Sequence, residues 1–184
     1  MKKLITIIIL VLILNACKTY KINSSIDTFE KNATIGILQP KIIIHNVKTI
    51  NERVVLKLKN DFQNKLYKKL IKTTLLKELR FQKLMEDENT LNHLDRKNQY
   101  VLSSEYEFLE FSNDFEGLAS IILTGIPLDR GVQNLKMKLI DTFSNTIVWE
   151  LEVKNGVLFS NFSTAYEGII GYPVRELKQI SVLE

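Results

Sequence analysis

From Leu135 to Val153 hydrophobic side chains fall on every second residue, interrupted once by a polar segment. Leu135, Met137 and Leu139 alternate with Lys136 and Lys138, and Ile147, Trp149, Leu151 and Val153 alternate with Glu150, Glu152 and Lys154. Successive side chains of a strand point to opposite faces of the sheet, so this period predicts two strands with one dry and one wet face. The "DTFSNT" segment between them, from Asp141 to Thr146, carries turn chemistry, with Asn145 suited to a left-handed conformation. The pair reads as a hairpin.

The same period begins beyond Gln99. Tyr100, Leu102, Tyr106 and Phe108 share one face, and Ser103, Glu105 and Glu107 take the other. At Leu109 and Phe111 the apolar face changes side, which predicts a bulge or a strand end. Upstream, "ATIGILQPKIIIHN" holds the short apolar run Ile35 to Leu38, bounded by Pro40, and reads as a buried strand. Ile42 to Ile44 extend it or begin a second strand.

Helical signals separate these runs. Thr49 and Glu52 have capping-box spacing, and Val54, Leu58, Phe62, Leu66 and Leu70 recur every four residues as one apolar stripe. Lys57, Lys59, Lys65, Lys68, Lys69 and Lys72 fall largely on the other faces. Glu52 and Asp61 dilute that charge, so a solvated face is expected rather than a site for an anionic partner. "LLKELRFQKLME" fits either a continued helix or a turn and a strand from Phe81 to Met85; Thr73 and Thr74 favour the break. "NTLNHLD" fits a short helix. Thr164 and Glu167 repeat the capping-box spacing and open a final helical segment, which Pro173 kinks or restarts, with Val174, Leu177 and Ile180 as core contacts. The order predicts an α+β fold, an antiparallel-rich mixed sheet packed against a long amphipathic helix and a C-terminal helix.

The N-terminus reads as a lipoprotein signal peptide ahead of that fold. Lys2 and Lys3 precede an 11-residue run, Leu4 to Leu14, apolar except for Thr6. That length suits a signal peptide and falls short of the ~20 apolar residues of a membrane-crossing helix. Leu14, Asn15, Ala16 and Cys17 follow in the order of a lipobox: aliphatic, loosely specified, small, cysteine. Cys17 is the only cysteine of the 184 residues, so no intrachain disulfide competes for its thiol. The competing reading makes Cys17 a bystander near an ordinary cleavage site; charge, run length and lipobox together favour lipidation. Expected organisation is a signal peptide over 1–16, a lipidated cysteine and flexible tether over 17–32, and one globular domain over 33–184. Removal of residues 1–16 also removes Lys2 and Lys3, leaving 23 basic against 21 acidic residues. The pI of about 9.0 is therefore partly a signal-peptide effect and gives no argument for nucleic acid.

"IGILQP", the long amphipathic helix, "LLKELRFQKL", "NQYVLSSEYEF" and "LKMKLIDTFSNTIVWE" together resemble successive segments of a superfamily of bacterial envelope lipoproteins. That superfamily includes the curli-secretion lipoprotein and the outer-membrane lipoprotein activator of penicillin-binding proteins. Ile35 to Pro40 take the place of its proline-terminated strand, and Asp141 to Trp149 that of its later strand pair, with Asn145 where a turn glycine is usual and Leu79 where a glycine often precedes the "RF" strand. The resemblance spans roughly residues 34 to 180. It implies a non-enzymatic binding or assembly role in the cell envelope.

A pore is not expected of this chain alone. A membrane strand needs about 9–11 residues with alternating lipid-facing side chains. The one apolar insertion, Gly117 to Leu128, is broken by Gly125 and Pro127 and does not alternate. Its Ile121, Ile122, Leu123, Ile126 and Leu128 form either a core loop or an exposed patch touching membrane or partner.

Catalysis finds little support in the residues. His45 and His93 lie far apart, and no Cys, His, Asp or Glu cluster has metal-ligand spacing. His93-Leu94-Asp95 is short enough to arise by chance. Ser103-Ser104 lacks the glycine frame of a nucleophile elbow, and the 7 glycines are dispersed rather than gathered in a phosphate loop. The sequons at Asn23, Asn32 and Asn161 carry no weight behind a bacterial lipobox. No cofactor is expected. The reading is a lipoprotein anchored to the membrane through Cys17, with an envelope protein as partner, on the periplasmic side of the outer membrane. The alternative is a periplasmic hydrolase or small-ligand-binding lipoprotein whose site is assembled from scattered residues.

Overall fold

A computed structural model describes residues 19–45, 52–73, 76–85, 98–111, 129–159 and 166–182. The hairpin is its longest feature: β7 (Asp129–Asp141) runs antiparallel to β8 (Thr146–Phe159). Asn145 turns the corner at φ 54°, the left-handed conformation expected of it. Asp141 Oδ1 accepts hydrogen bonds from the Phe143 and Ser144 amides, closing the turn as an Asx motif.

One residue of the alternation moves. Leu139 faces Trp149 while Ile140 faces Ile147, so the register slips and Val148 is the extra residue. Because the side-chain period is two, one added residue turns everything before it to the opposite face. Ile147, expected on the core face, is 49% exposed, whereas Trp149 beyond the slip is 1% exposed.

The strand β6 (Tyr100–Phe111) pairs antiparallel with β7 without a slip, from Tyr100 opposite Asp141 to Phe111 opposite Arg130. Of the bulge or strand end expected at Leu109 and Phe111, the pairing shows the second: β6 runs without a bulge to its end at Phe111, and the irregularity of this sheet lies in the next pair. Along its other edge β6 carries two short parallel strands end to end, β3 (Thr34–Ile37) and β4 (Lys41–His45). Pro40, which has no N–H to give a ladder, falls between them. β5 (Arg80–Lys83) pairs parallel with β3, one residue earlier than the expected Phe81 start, and leaves Met85 exposed. With β1 (Thr19–Ser24) antiparallel to β8, the order is β1-β8-β7-β6-β3-β5, with β4 beside β6.

One face of this mixed sheet is covered by α1 (Glu52–Lys72) and α2 (Gly171–Leu177). Leu58, Phe62, Leu66 and Leu70 of α1 are buried as the four-residue spacing predicts, but Val54, one turn earlier, is 38% exposed. The helix stops where Thr73 does: its hydroxyl and amide bond back to the Lys69 and Leu70 carbonyls. Pro173 sits in the first turn of α2, where a missing N–H costs least, and Leu177 and Ile180 are buried with Val174 partly so. Residues 46–51, 86–97 and 160–165, with the capping threonines Thr49 and Thr164 and the "NTLNHLD" segment, lie outside the described residues.

The polar stretch expected as a tether is part of the fold from Thr19 onward. β1 adds six residues to the sheet edge, and β2 (Thr28–Phe29) pairs parallel with β9 (Ser181–Val182). Phe29 is fully buried, with its ring edge-on to Tyr100 at 5.5 Å. Burying one phenylalanine and pairing six edge residues outweighs the polar composition of the segment between them.

Candidate functional site

The first described residue is Thr19, opposite Lys154 of β8, and the next residue builds a cluster. Tyr20 turns inward against α2, where its ring lies 6.2 Å from that of Tyr172. The Arg175 guanidinium sits 6.0 Å from the Tyr20 ring and 5.2 Å from the Tyr172 ring. Its Nε donates to Glu176 Oε1 at 2.9 Å, and that carboxylate is buried, so Arg175 supplies the charge that makes its burial tolerable. Burial raises the Tyr20 phenol above its ordinary value, the Glu176 carboxylate adds to the rise, and Arg175 opposes it. Arg175 itself keeps more than half of its side chain in solvent. The result is an aromatic and cationic surface at the point where the chain enters the sheet.

The outer face of the sheet is built from the wet side of the alternation. Lys41, Glu105, Lys136, Glu152 and Lys21 stand opposite one another across β4, β6, β7, β8 and β1, with the sign changing at every step. Lys41 Nζ reaches Glu105 Oε2 at 2.8 Å. One row further, Lys138 faces Glu150. Opposite charges directly across a strand pair contribute about 0.2–1 kcal/mol each, and such a face cancels its own field locally.

His45 lies on this open face, with Nε2 2.9 Å from Glu107 Oε1. Ser103 and Ser104 are buried within β6 rather than held on a turn. Lys65 of α1 donates to Glu167, which holds the Glu167 carboxyl below its ordinary value and raises the Lys65 ammonium. A shallow hollow of about 300 Å³ opens where β8 slips, lined by Asn23, Ser24, Ser25, Val148 and Glu150 among others. Ser25 closes its floor by bonding the Val148 carbonyl through both its amide and hydroxyl. Among the described residues no group of three His, Cys, Asp or Glu side chains gathers to hold a metal, and no helix is long and apolar enough to cross a membrane.

Leu14, Asn15, Ala16 and Cys17, the patch residues Ile121, Ile122, Leu123, Ile126 and Leu128, and His93 all lie outside the described residues. The residues that periodicity missed are Tyr20, Arg175 and Gln63. A short alternation, Tyr20-Lys21-Ile22-Asn23, was the available signal for the first. Gln63 of α1 is buried and donates to the carbonyls of Ile37 at 2.8 Å and Leu84 at 2.7 Å, tying the helix to β3 and the end of β5. A polar residue beside the apolar stripe gives no hint of that.

No protein-family model matches the chain, and no curated protein sequence does. Solved structures do match. PelC from Paraburkholderia phytofirmans, a dodecamer, is 12% identical with a TM-score of 0.53, covering 91% of this chain and 99% of its own. A point variant of the same PelC dodecamer matches at 12% identity and a TM-score of 0.50, over 89% and 98% of the two chains. Lipoprotein GNA1162 from Neisseria meningitidis matches at 11% identity and a TM-score of 0.48, over 79% and 94%. At these identities the likeness concerns the fold: the chain shares the α+β architecture of PelC over nearly its whole length.

Proposed function

We propose that this chain is a lipoprotein of the bacterial cell envelope, anchored through Cys17, that acts by binding or assembling other envelope components rather than by catalysis. The observation that carries the reading is the join between motif and fold: the lipobox cysteine is followed within two residues by the first strand of the sheet. A lipid there confines the whole domain to a surface and raises its effective concentration near membrane partners. In support of a binding role, the helices fill one sheet face with core side chains, while the other, among the described residues, carries no covering element and presents facing charges. The location we favour is the outer membrane, with the domain in the periplasm, because Lys18 after Cys17 is not the acidic residue of an inner-membrane retention signal.

Crosslinking in live cells, followed by mass spectrometry of what co-purifies, tests this. Recovery of envelope proteins with wild-type protein in the membrane fraction is the expected result. PelC, which shares the fold, is a dodecamer, and the same experiment reads out self-association here. Recovery of no envelope protein, with wild-type and Cys17→Ala forms alike in the soluble fraction, overturns the proposal.

A further inference from the structure

The register of the sheet places the anchor relative to the rest of the domain. Thr19 lies level with Lys154 of β8, Asn134 of β7 and Glu107 of β6. From that level β8 runs on to Phe159, β7 begins at Asp129 and β6 ends at Phe111. At ~3.3 Å per residue, β7 and β8 project ~16 Å past Thr19, on the side from which the N-terminus enters. Cys17 lies two residue steps before Thr19, a reach of ~7 Å at full extension.

A bilayer holding the acyl chains of Cys17 therefore lies closer to Thr19 than the strand ends project. A reach of ~7 Å cannot lift those ends clear of a headgroup layer only ~5–7 Å thick. Beside Thr19 stand exposed Lys154 and the Tyr20–Arg175–Tyr172 stack, cationic and aromatic groups of the kind that suit the headgroup layer.

We propose that the domain sits directly on the bilayer, with the β6–β7–β8 strand ends and the start of β1 facing it, and the β7–β8 turn pointing away. The orientation rests on lipidation of Cys17, and on the absence of slack between that residue and the sheet. The occupant of this end is a lipid surface.

Because lipidation consumes the only native thiol, an introduced cysteine labels singly. The full-length lipidated protein, reconstituted in phosphatidylcholine vesicles doped with a headgroup-nitroxide lipid, carries a fluorophore at Lys154→Cys or at Phe143→Cys. Phe143 lies in the β7–β8 turn, with β8 placing it more than ~25 Å beyond the Lys154 level. Quenching several-fold stronger at position 154 than at 143 is expected. A 12-residue Gly-Ser insertion between Lys18 and Thr19, with a mean reach of ~20 Å, should abolish that contrast. Equal or reversed quenching of membrane-bound protein overturns the orientation and leaves the anchor standing. Contrast that survives the linker overturns the claim that the short reach sets it. Protein that stays out of the vesicle fraction overturns the anchor, and the orientation with it.

Discussion

Replacing Phe29 by alanine separates a folded N-terminal segment from a tether. The ring is fully buried, edge-on to Tyr100, on a two-residue strand whose only ladder partner among the described residues is Ser181–Val182. Truncating a buried phenylalanine costs about 3–5 kcal/mol, and a short strand at the end of the core can collapse partly into the space, so the lower end applies. For a domain of this size ~3 kcal/mol corresponds to a fall in Tm of about 6–12 °C. Ile22, 41% exposed on β1, is the control: alanine there should change stability by less than ~0.5 kcal/mol. Urea denaturation followed through Trp149, the single and buried tryptophan, reads both variants. If Phe29→Ala stays within ~0.5 kcal/mol of wild type, residues 19–32 behave as a tether and the reasoning fails.

Other positions give sharper or smaller effects. Gln63→Leu leaves Ile37 O with the Leu84 amide but removes the donor to Leu84 O, and should cost about 1–3 kcal/mol in the same denaturation assay. At Gly131 an added Cβ would lie 2.5 Å from Phe108 Cζ and 3.0 Å from the Leu109 carbonyl; with Phe108 fully buried, Gly131→Ala should cost about 1–3 kcal/mol. Asn145→Ala should lose about 1 kcal/mol at the positive-φ corner while Asn145→Gly loses almost nothing, read as paired shifts in Tm. Glu167, its carboxyl held low by Lys65, contributes stability above its ordinary value near 4.5 that is lost as pH falls through the lower folded value. Glu167→Gln should therefore flatten the pH dependence of the urea midpoint below that point, and an unchanged acid limb would contradict the pairing.

Where the sequence announces structure, it does so through period. The Leu135–Leu139 and Trp149–Val153 alternation, the Leu58–Leu70 stripe and the Asn145 corner all stand as the residue pattern predicts. The failures are non-local. Ile147 belongs to the same alternation, yet one extra residue at Val148 turns it outward, and no neighbouring side chain signals the slip. Residues 17–32 read as a tether because, in their described part, only Phe29 is fully buried, with Tyr20 and Ile26 partly so, and Phe29 depends on a strand partner some 150 residues later. Bonds such as Gln63 to the Leu84 carbonyl join elements whose meeting is decided by the whole fold. The lipobox expected at Leu14–Cys17, outside the described residues, is a different kind of signal: such a motif is short and linear and is read before any fold exists.

The central claim is that Cys17 is the anchored first residue of a chain that enters its sheet at Thr19. Mass spectrometry of the N-terminal peptide from membrane-purified protein tests that most directly. The predicted result is a mature chain beginning at Cys17 and carrying a diacylglyceryl group, with no unmodified thiol. A chain that retains residues 1–16, or begins elsewhere with Cys17 free, would contradict it.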